Sequence, residues 1–142
     1  MIAGKLGAYA VELSTRPLSD DVLHAAKRCF LDGMAAMICG AVHPPATLMT
    51  EALSEELDHG GAQIVPSGRR GPVRTAALIN GAAAHAMEVD DIFRDAVYHP
   101  GPPVISAVLA ASQSAGHDGM MLLRAIIAGY EVSNRVGKAM QP

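Results

Sequence analysis

The chain has 142 residues, half of them hydrophobic, with 4% aromatic residues and no tryptophan, and its 11 basic and 14 acidic residues leave a net charge of −3. This is enough apolar material for one domain with a core of Ala, Leu, Ile, Val and Met, and the eight methionines and many alanines favour packed helices over a β-sandwich. No basic stripe marks a nucleic-acid binder, no run of about 18 apolar residues escapes interruption by His, Pro or charge, and the amino terminus lacks a signal-peptide pattern, so the default location is cytoplasmic.

The first predicted helix spans 2–14, with Leu6, Tyr9, Ala10 and Leu13 on one side and Arg16-Pro17 interrupting it. Ser19 then caps a second helix whose first turn carries Asp20 and Asp21, where negative charge suits the helix dipole. In its first half Val22, Ala26, Cys29 and Phe30 face inward, and His24, Lys27, Arg28 and Asp32 face outward. From Gly33 to Cys39 it is apolar all round, the pattern of a helix entering an interior, and Gly40 is expected to end it in a left-handed conformation. On one helix Cys29 and Cys39 stand about 15 Å apart, too far for a disulfide, and read as two free thiols.

Pro44-Pro45 starts a third helix expected to reach Leu57, closed by His59-Gly60-Gly61. Residues 62–71 read as a loop with an extended piece at Gln63-Ile64-Val65. Pro72 opens a fourth helix to about Met87, rich in Ala, in which Gly81 signals a close contact or a bend, with a tolerated defect as the alternative. Residues 88–103 follow no helical period. A fifth helix is expected over 104–115, then a turn at 116–119 with Asp118 as cap. A last helix from Gly119 to Met140 carries Leu122, Ile126 and Tyr130 on one stripe and an i,i+4 pair of Glu131 and Arg135. The elements make an all-α bundle with short connections and no internal repeat, and its last helix has no further element to cover it, which raises the expectation of a partner chain or a longer polypeptide.

Site chemistry concentrates between His85 and His99, where Glu88, Asp90, Asp91, Arg94, Asp95 and Tyr98 also lie. From Glu88 to Asp95 the net charge is −3, equal to that of the whole chain. Two carboxylates about 4 Å apart at a partly buried site repel by roughly 4 kcal/mol, so a cation, a proton, a metal or hydrogen bonds must relieve them. Bland readings stand beside this: Asp90-Asp91 as a solvated loop or a cap for the next helix, His99 as a structural loop residue, His85 as a satisfied core histidine. A metal set of His85, Glu88, Asp91 and His99 is conceivable, but its spacing matches no tight motif, so no metal or cofactor is predicted.

The runs AALINGAAAHAMEVDD, HPGPPVISAVLA and LLRAIIAGYEVSNRVGKA, with LSDDVLHAAKRCFLDGMAAMICG before them, resemble the MmgE/PrpD family. The motifs are an Asn-Gly before a His, an acidic-x-Asp-Asp run, a His-Pro, and a Gly-Tyr-Glu with Arg four residues after the Glu. They occur in order over about Leu6 to Met140. The family includes 2-methylcitrate dehydratase, cis-aconitate decarboxylase and iminodisuccinate epimerase, which move protons next to a carboxylate in small polycarboxylates without a metal. The resemblance implies a large helical domain plus a smaller α/β domain, usually in a homodimer, with the active site in the cleft between them. Residues 1–142 match the amino-terminal part of the helical domain; the rest, with its further histidine, lysine and tyrosine, would follow Pro142, and the small domain is absent.

Carried over, His99, Asp91 and Glu88 are the implied catalytic residues, and Asp90, Arg94 and His85 the implied substrate-binding ones. Two positions differ from the family pattern: Glu88 stands where Asp is common, and Gly101 follows His-Pro where Ser is usual. An anionic loop cannot hold a polycarboxylate alone. Arg94, Arg69 and Arg70 are candidate cations within the chain, and others would come from a partner or downstream polypeptide. The expected function is therefore that of a polycarboxylate lyase or isomerase, inactive as the isolated piece. The rivals are a non-catalytic, dimerising helical fragment and a metal-dependent hydrolase using His85, Asp91 and His99.

Overall fold

The computed structural model describes residues 1–141 and shows six helices there: α1 Ile2–Leu13, α2 Asp20–Gly40, α3 Pro44–Ala52, α4 Val73–His85, α5 Gly101–Ala115 and α6 Gly119–Ala139. Strands β1 Ala62–Gln63 and β2 Arg70–Gly71 form a small antiparallel hairpin. The fold is all-α, as the composition and periodicity predict. Two predicted caps recur: the Ser19 hydroxyl accepts from Val22 N, and the Asp118 carboxylate from Met121 N. No helix among the described residues is long and apolar enough to cross a membrane.

Helices α4 and α5 pack along each other at the centre, α2 covers both, α6 lies on α5 and α2, and α1 rides on α6. The main core joins Ala26, Ala36 and Met37 of α2 to Ala84, Ile105, Leu109, Leu123 and Ile126. A second cluster under the hairpin joins Leu57, Ala62 and Ile64 to Ala76, Ile79 and Ala110. The small residues of α4 let its neighbours in closely. A side chain on Gly81 would stand 3.2 Å from the Ser106 hydroxyl, so the close-contact reading holds there.

Gly40 corrects an expectation. It is helical, followed by Ala41 also in the right-handed region, and ends nothing by a left-handed turn. It is needed because a Cβ there would lie 1.8 Å from the Ala83 carbonyl oxygen of α4. The stretch before it is not enclosed either. Leu31 and Ile38 are 70% and 50% exposed, and Val42 just beyond is 78% exposed, so one apolar face of α2 is open in the described residues. Val22, expected inward, is also exposed.

Other boundaries shift for local reasons. The third helix stops at Ala52 and gives way to a 3-10 turn at Ser54–Glu56 before Leu57. Thr75 and Arg74 of α4 both bind the Glu56 carboxylate and hold that turn. Pro72 caps α4 from outside rather than opening it. Helix α5 starts at Gly101, three residues before the predicted start, because Pro102 and Pro103 fit a first turn in which no amide need donate. Both cysteines are free.

One buried polar side chain fastens the hairpin to α4. Asn80, fully buried, accepts from Val65 N at 2.9 Å and donates to Gln63 O at 2.9 Å. Asn80→Ala strands both backbone groups and is expected to cost about 2–4 kcal/mol. Urea denaturation reads this directly, and a loss under 1 kcal/mol would show that the hairpin finds other partners.

Candidate active site

The site grows out of the end of α4. After His85 the chain turns at Ala86–Glu88, and Glu88 adopts φ +49°. The following loop folds back on itself: Phe93 N donates to Tyr98 O at 2.7 Å across a 3-10 turn of Arg94–Ala96, and Val97 sits at φ +47°. A β-branched residue with positive φ is strained, and such strain persists only where surrounding contacts enforce it. Here they come from α6 and the residues just after it: Lys138 pairs with Asp95 at 2.8 Å, and Gln141 donates to Ala96 O at 3.0 Å.

This loop brings three predicted residues together. The Asp90 side chain is 1% exposed and meets His99 Nδ1 at 2.8 Å and His85 Nδ1 at 3.2 Å. The two rings stand edge to face with centroids 5.1 Å apart. An ionised carboxylate only accepts, so each imidazole presents Nδ1–H to Asp90 and keeps Nε2 as its free, basic nitrogen. His85 is thus no core histidine, since half of its side chain is exposed. A depression of about 370 Å³ opens beside the pair, lined by His85, Val97, Tyr98, His99, Pro102 and Pro103. An apolar trough between α4 and α5 meets it at His85, Pro102 and Pro103.

Asp91 points elsewhere. Its Oδ1 accepts from Gly101 N at 2.8 Å, the first amide of α5, and its Oδ2 accepts from Tyr130 Oη at 2.8 Å. A Cβ on residue 101 would sit 2.5 Å from Asp91 Oδ1, so the Gly that departs from the family pattern is what lets this carboxylate reach the helix end. Burial, then the Asp91 carboxylate, raises the Tyr130 phenol far above its ordinary value and fixes it as a donor. Burial and Asp91 also raise the Cys29 thiol, which stays neutral and is a poor nucleophile. Asp32 is raised by burial and then by the charges of Asp91 and Asp90. Sequence reasoning placed Cys29 only as an inward thiol and Tyr130 only on an apolar stripe. The Gly-Tyr-Glu motif was the one sign that Tyr130 has a further task.

Glu88 and Arg94 are exposed, and neither side chain has a hydrogen bond or ion pair among the described residues. Arg69 and Arg70 are committed to the hairpin: Arg69 pairs with Asp58 at 2.7 Å and Arg70 donates to Gly61 O. For a metal, the convergent donors are His85, Asp90 and His99, each offering one atom within 4.8 Å of the others. The rival set weighed from sequence, His85, Asp91 and His99, does not converge, because both oxygens of Asp91 are engaged, at the α5 terminus and by Tyr130.

Comparison with known proteins agrees with this architecture. Residues 4–142 match the MmgE/PrpD N-terminal domain. The chain is 31% identical to a cis-aconitate decarboxylase-like protein of Aspergillus oryzae, covering 98% of this chain and 30% of that one. It is 32% identical to a cis-aconitate decarboxylase of Aspergillus terreus, covering 97% and 29%. It thus spans under a third of the length of these relatives, and no solved structure matches it. Carrying the family's motif run on a helical scaffold, and matched from residue 4 to residue 142, the chain belongs to the MmgE/PrpD family through its N-terminal domain.

Proposed function

We propose that this chain forms the helical part of a lyase that acts on a small polycarboxylate, with His99 as the proton carrier. The supporting observation is the 2.8 Å contact between His99 Nδ1 and the buried Asp90 carboxylate, which leaves His99 Nε2 free beside an open depression. Such a nitrogen can take a proton from a carbon next to a carboxylate, or return one after decarboxylation. The relatives' names favour a decarboxylase over an epimerase, and a dehydratase stays open by the family alone. The substrate's several charges need more cations than Arg94, the loop's own, since Lys138 is engaged by Asp95 and Arg69 by Asp58. We place those cations on other polypeptide: a second copy, in a homodimer, or the stretch by which the relatives are longer.

The test is to assay 2-methylcitrate dehydration, cis-aconitate decarboxylation and iminodisuccinate epimerisation with the 142-residue chain, alone and joined to the downstream two-thirds of a relative. Turnover is expected only in the joined form, for one of the first two substrates, and His99→Ala should abolish it. Turnover that survives His99→Ala would refute the assignment. Sedimentation velocity on the same preparations reports self-association, and a monomer at all concentrations would remove the homodimer.

A second reading, a metal-dependent hydrolase, is favoured by one observation, the convergence of His85, Asp90 and His99. Elemental analysis of protein purified without chelator decides it, because stoichiometric zinc, iron or manganese is required.

A further inference from the structure

We infer that Tyr130 and Asp91 are positioning residues that hold His99 against Asp90, so that α6 sets the geometry of the proton-carrying pair; the inference rests on the reading of His99 as proton carrier. Asp91 directly follows Asp90, and Gly101 stands two residues after His99. By accepting from Gly101 N, the Asp91 carboxylate ties the start of the 91–101 loop to its end. Asp90 and His99 sit just outside and just inside that tie. Their 2.8 Å contact is therefore a consequence of where the tie holds the two strands of the loop.

A carboxylate alone could swing between rotamers. Tyr130, 39 residues away in sequence, stops it by donating to the other oxygen at 2.8 Å. The phenol is partly buried, and burial keeps it protonated, so this bond persists throughout the physiological pH range. Gly101 completes the device, because any side chain there would push the carboxylate away. Lys138 and Gln141 fasten the tip of the same loop to the same helix. All the ties from the loop to α6 and its end thus run through one rigid element, and Tyr130 is the one nearest the imidazoles in sequence register.

The experiment is long-range proton–nitrogen correlation NMR of the histidine rings in the 15N-labelled chain, at a pH where they are neutral. In the wild type the His99 proton is expected on Nδ1. In Tyr130→Phe that preference should be lost, the two ring nitrogens moving toward averaged shifts. Exchange of the Gly101 amide should quicken at least tenfold while the Ile105 and Leu109 amides keep their rates. Gly101→Ala should reproduce the tautomer change, and it carries the test if Tyr130→Phe does not fold. A purely structural Tyr130 would instead speed exchange throughout α5 and leave the His99 tautomer alone. That result, or an unchanged His99 in both folded variants, overturns the inference. Neither readout needs turnover, so absence of turnover in the joined form would count against the lyase reading alone.

Discussion

Asp90→Asn in the joined, active form is expected to lower kcat by about 10²–10⁴-fold, with KM changed little and the fold intact. The side chain is nearly isosteric but no longer accepts at both ends. Asp90 faces two Nδ1 atoms, one at 2.8 Å from Oδ2 and the other at 3.2 Å from both oxygens. An amide offers one acceptor oxygen and one NH2 donor. If the NH2 faces His99, that ring must accept through Nδ1 and move its proton to Nε2, which removes the base from the depression. If the amide is flipped, the mismatch falls partly on His85. The shorter contact to His99 favours this flipped form, and kcat then falls because a neutral amide no longer stabilises the imidazolium formed when His99 Nε2 takes up a proton. Steady-state kinetics combined with the histidine NMR above reads both quantities together. A kcat within threefold of wild type, with the His99 tautomer changed, would show that Nε2 is not the working nitrogen.

Gly40→Ala is expected to destabilise the chain by about 3 kcal/mol or more and to lower Tm by roughly 10 °C or more. Only 1.8 Å would separate the new Cβ from the Ala83 carbonyl oxygen, and backbone cannot move aside as a side-chain tip can. Helices α2 and α4 must part, and the core they share around Met37 and Ala84 opens with them. Gly4→Ala is the contrasting case. Nothing lies within 4 Å of a Cβ there, so α1 should gain up to about 1 kcal/mol from better helix propensity. Thermal and urea melts of the two variants side by side give the comparison. A Gly40→Ala protein as stable as wild type would mean that α2 and α4 do not approach this closely.

Much of the scaffold was legible because it is written in short-range terms. Helical periodicity, the Ser19 and Asp118 caps, and the breaks at Pro17, at Pro44 and at 116–119 involve residues no more than about four apart. A cap needs only its own side chain and an amide two or three positions on. The boundaries that failed depended on partners further away. The third helix ended early where Glu56 is held by Arg74 and Thr75, 18 and 19 residues downstream. Gly101, Pro102 and Pro103 fell outside the predicted fifth helix, since prolines inside a helix are costly, yet the same residues suit a first turn.

The candidate site was legible as a segment but not as an arrangement. Charge density and the family motifs marked 85–99, and no reading of the residues could tell which neighbouring aspartate serves the histidines. Asp90 and Asp91 are one residue apart in a non-repeating loop, so their side chains diverge. The direction each takes is fixed by a positive-φ turn at Glu88 and by Tyr130 on a helix 39 residues later. The possibility of Asp91 as a helix cap, read from sequence as the bland alternative, describes its contact with Gly101 N.

By itself the sequence determined an all-helical chain of the MmgE/PrpD family, the order of its helices and the stretch where its chemistry lies, because local periodicity, capping and motif order are properties of neighbours in the chain. Tertiary structure alone decided that Asp90 sits under both imidazoles, that Asp91 ties the loop to α5 and α6, that Gly40 yields to a carbonyl and that the apolar face of α2 stays open. Each of these depends on which surfaces of distant helices meet, and at contact distances of 2 to 4 Å that is settled by packing rather than by pattern.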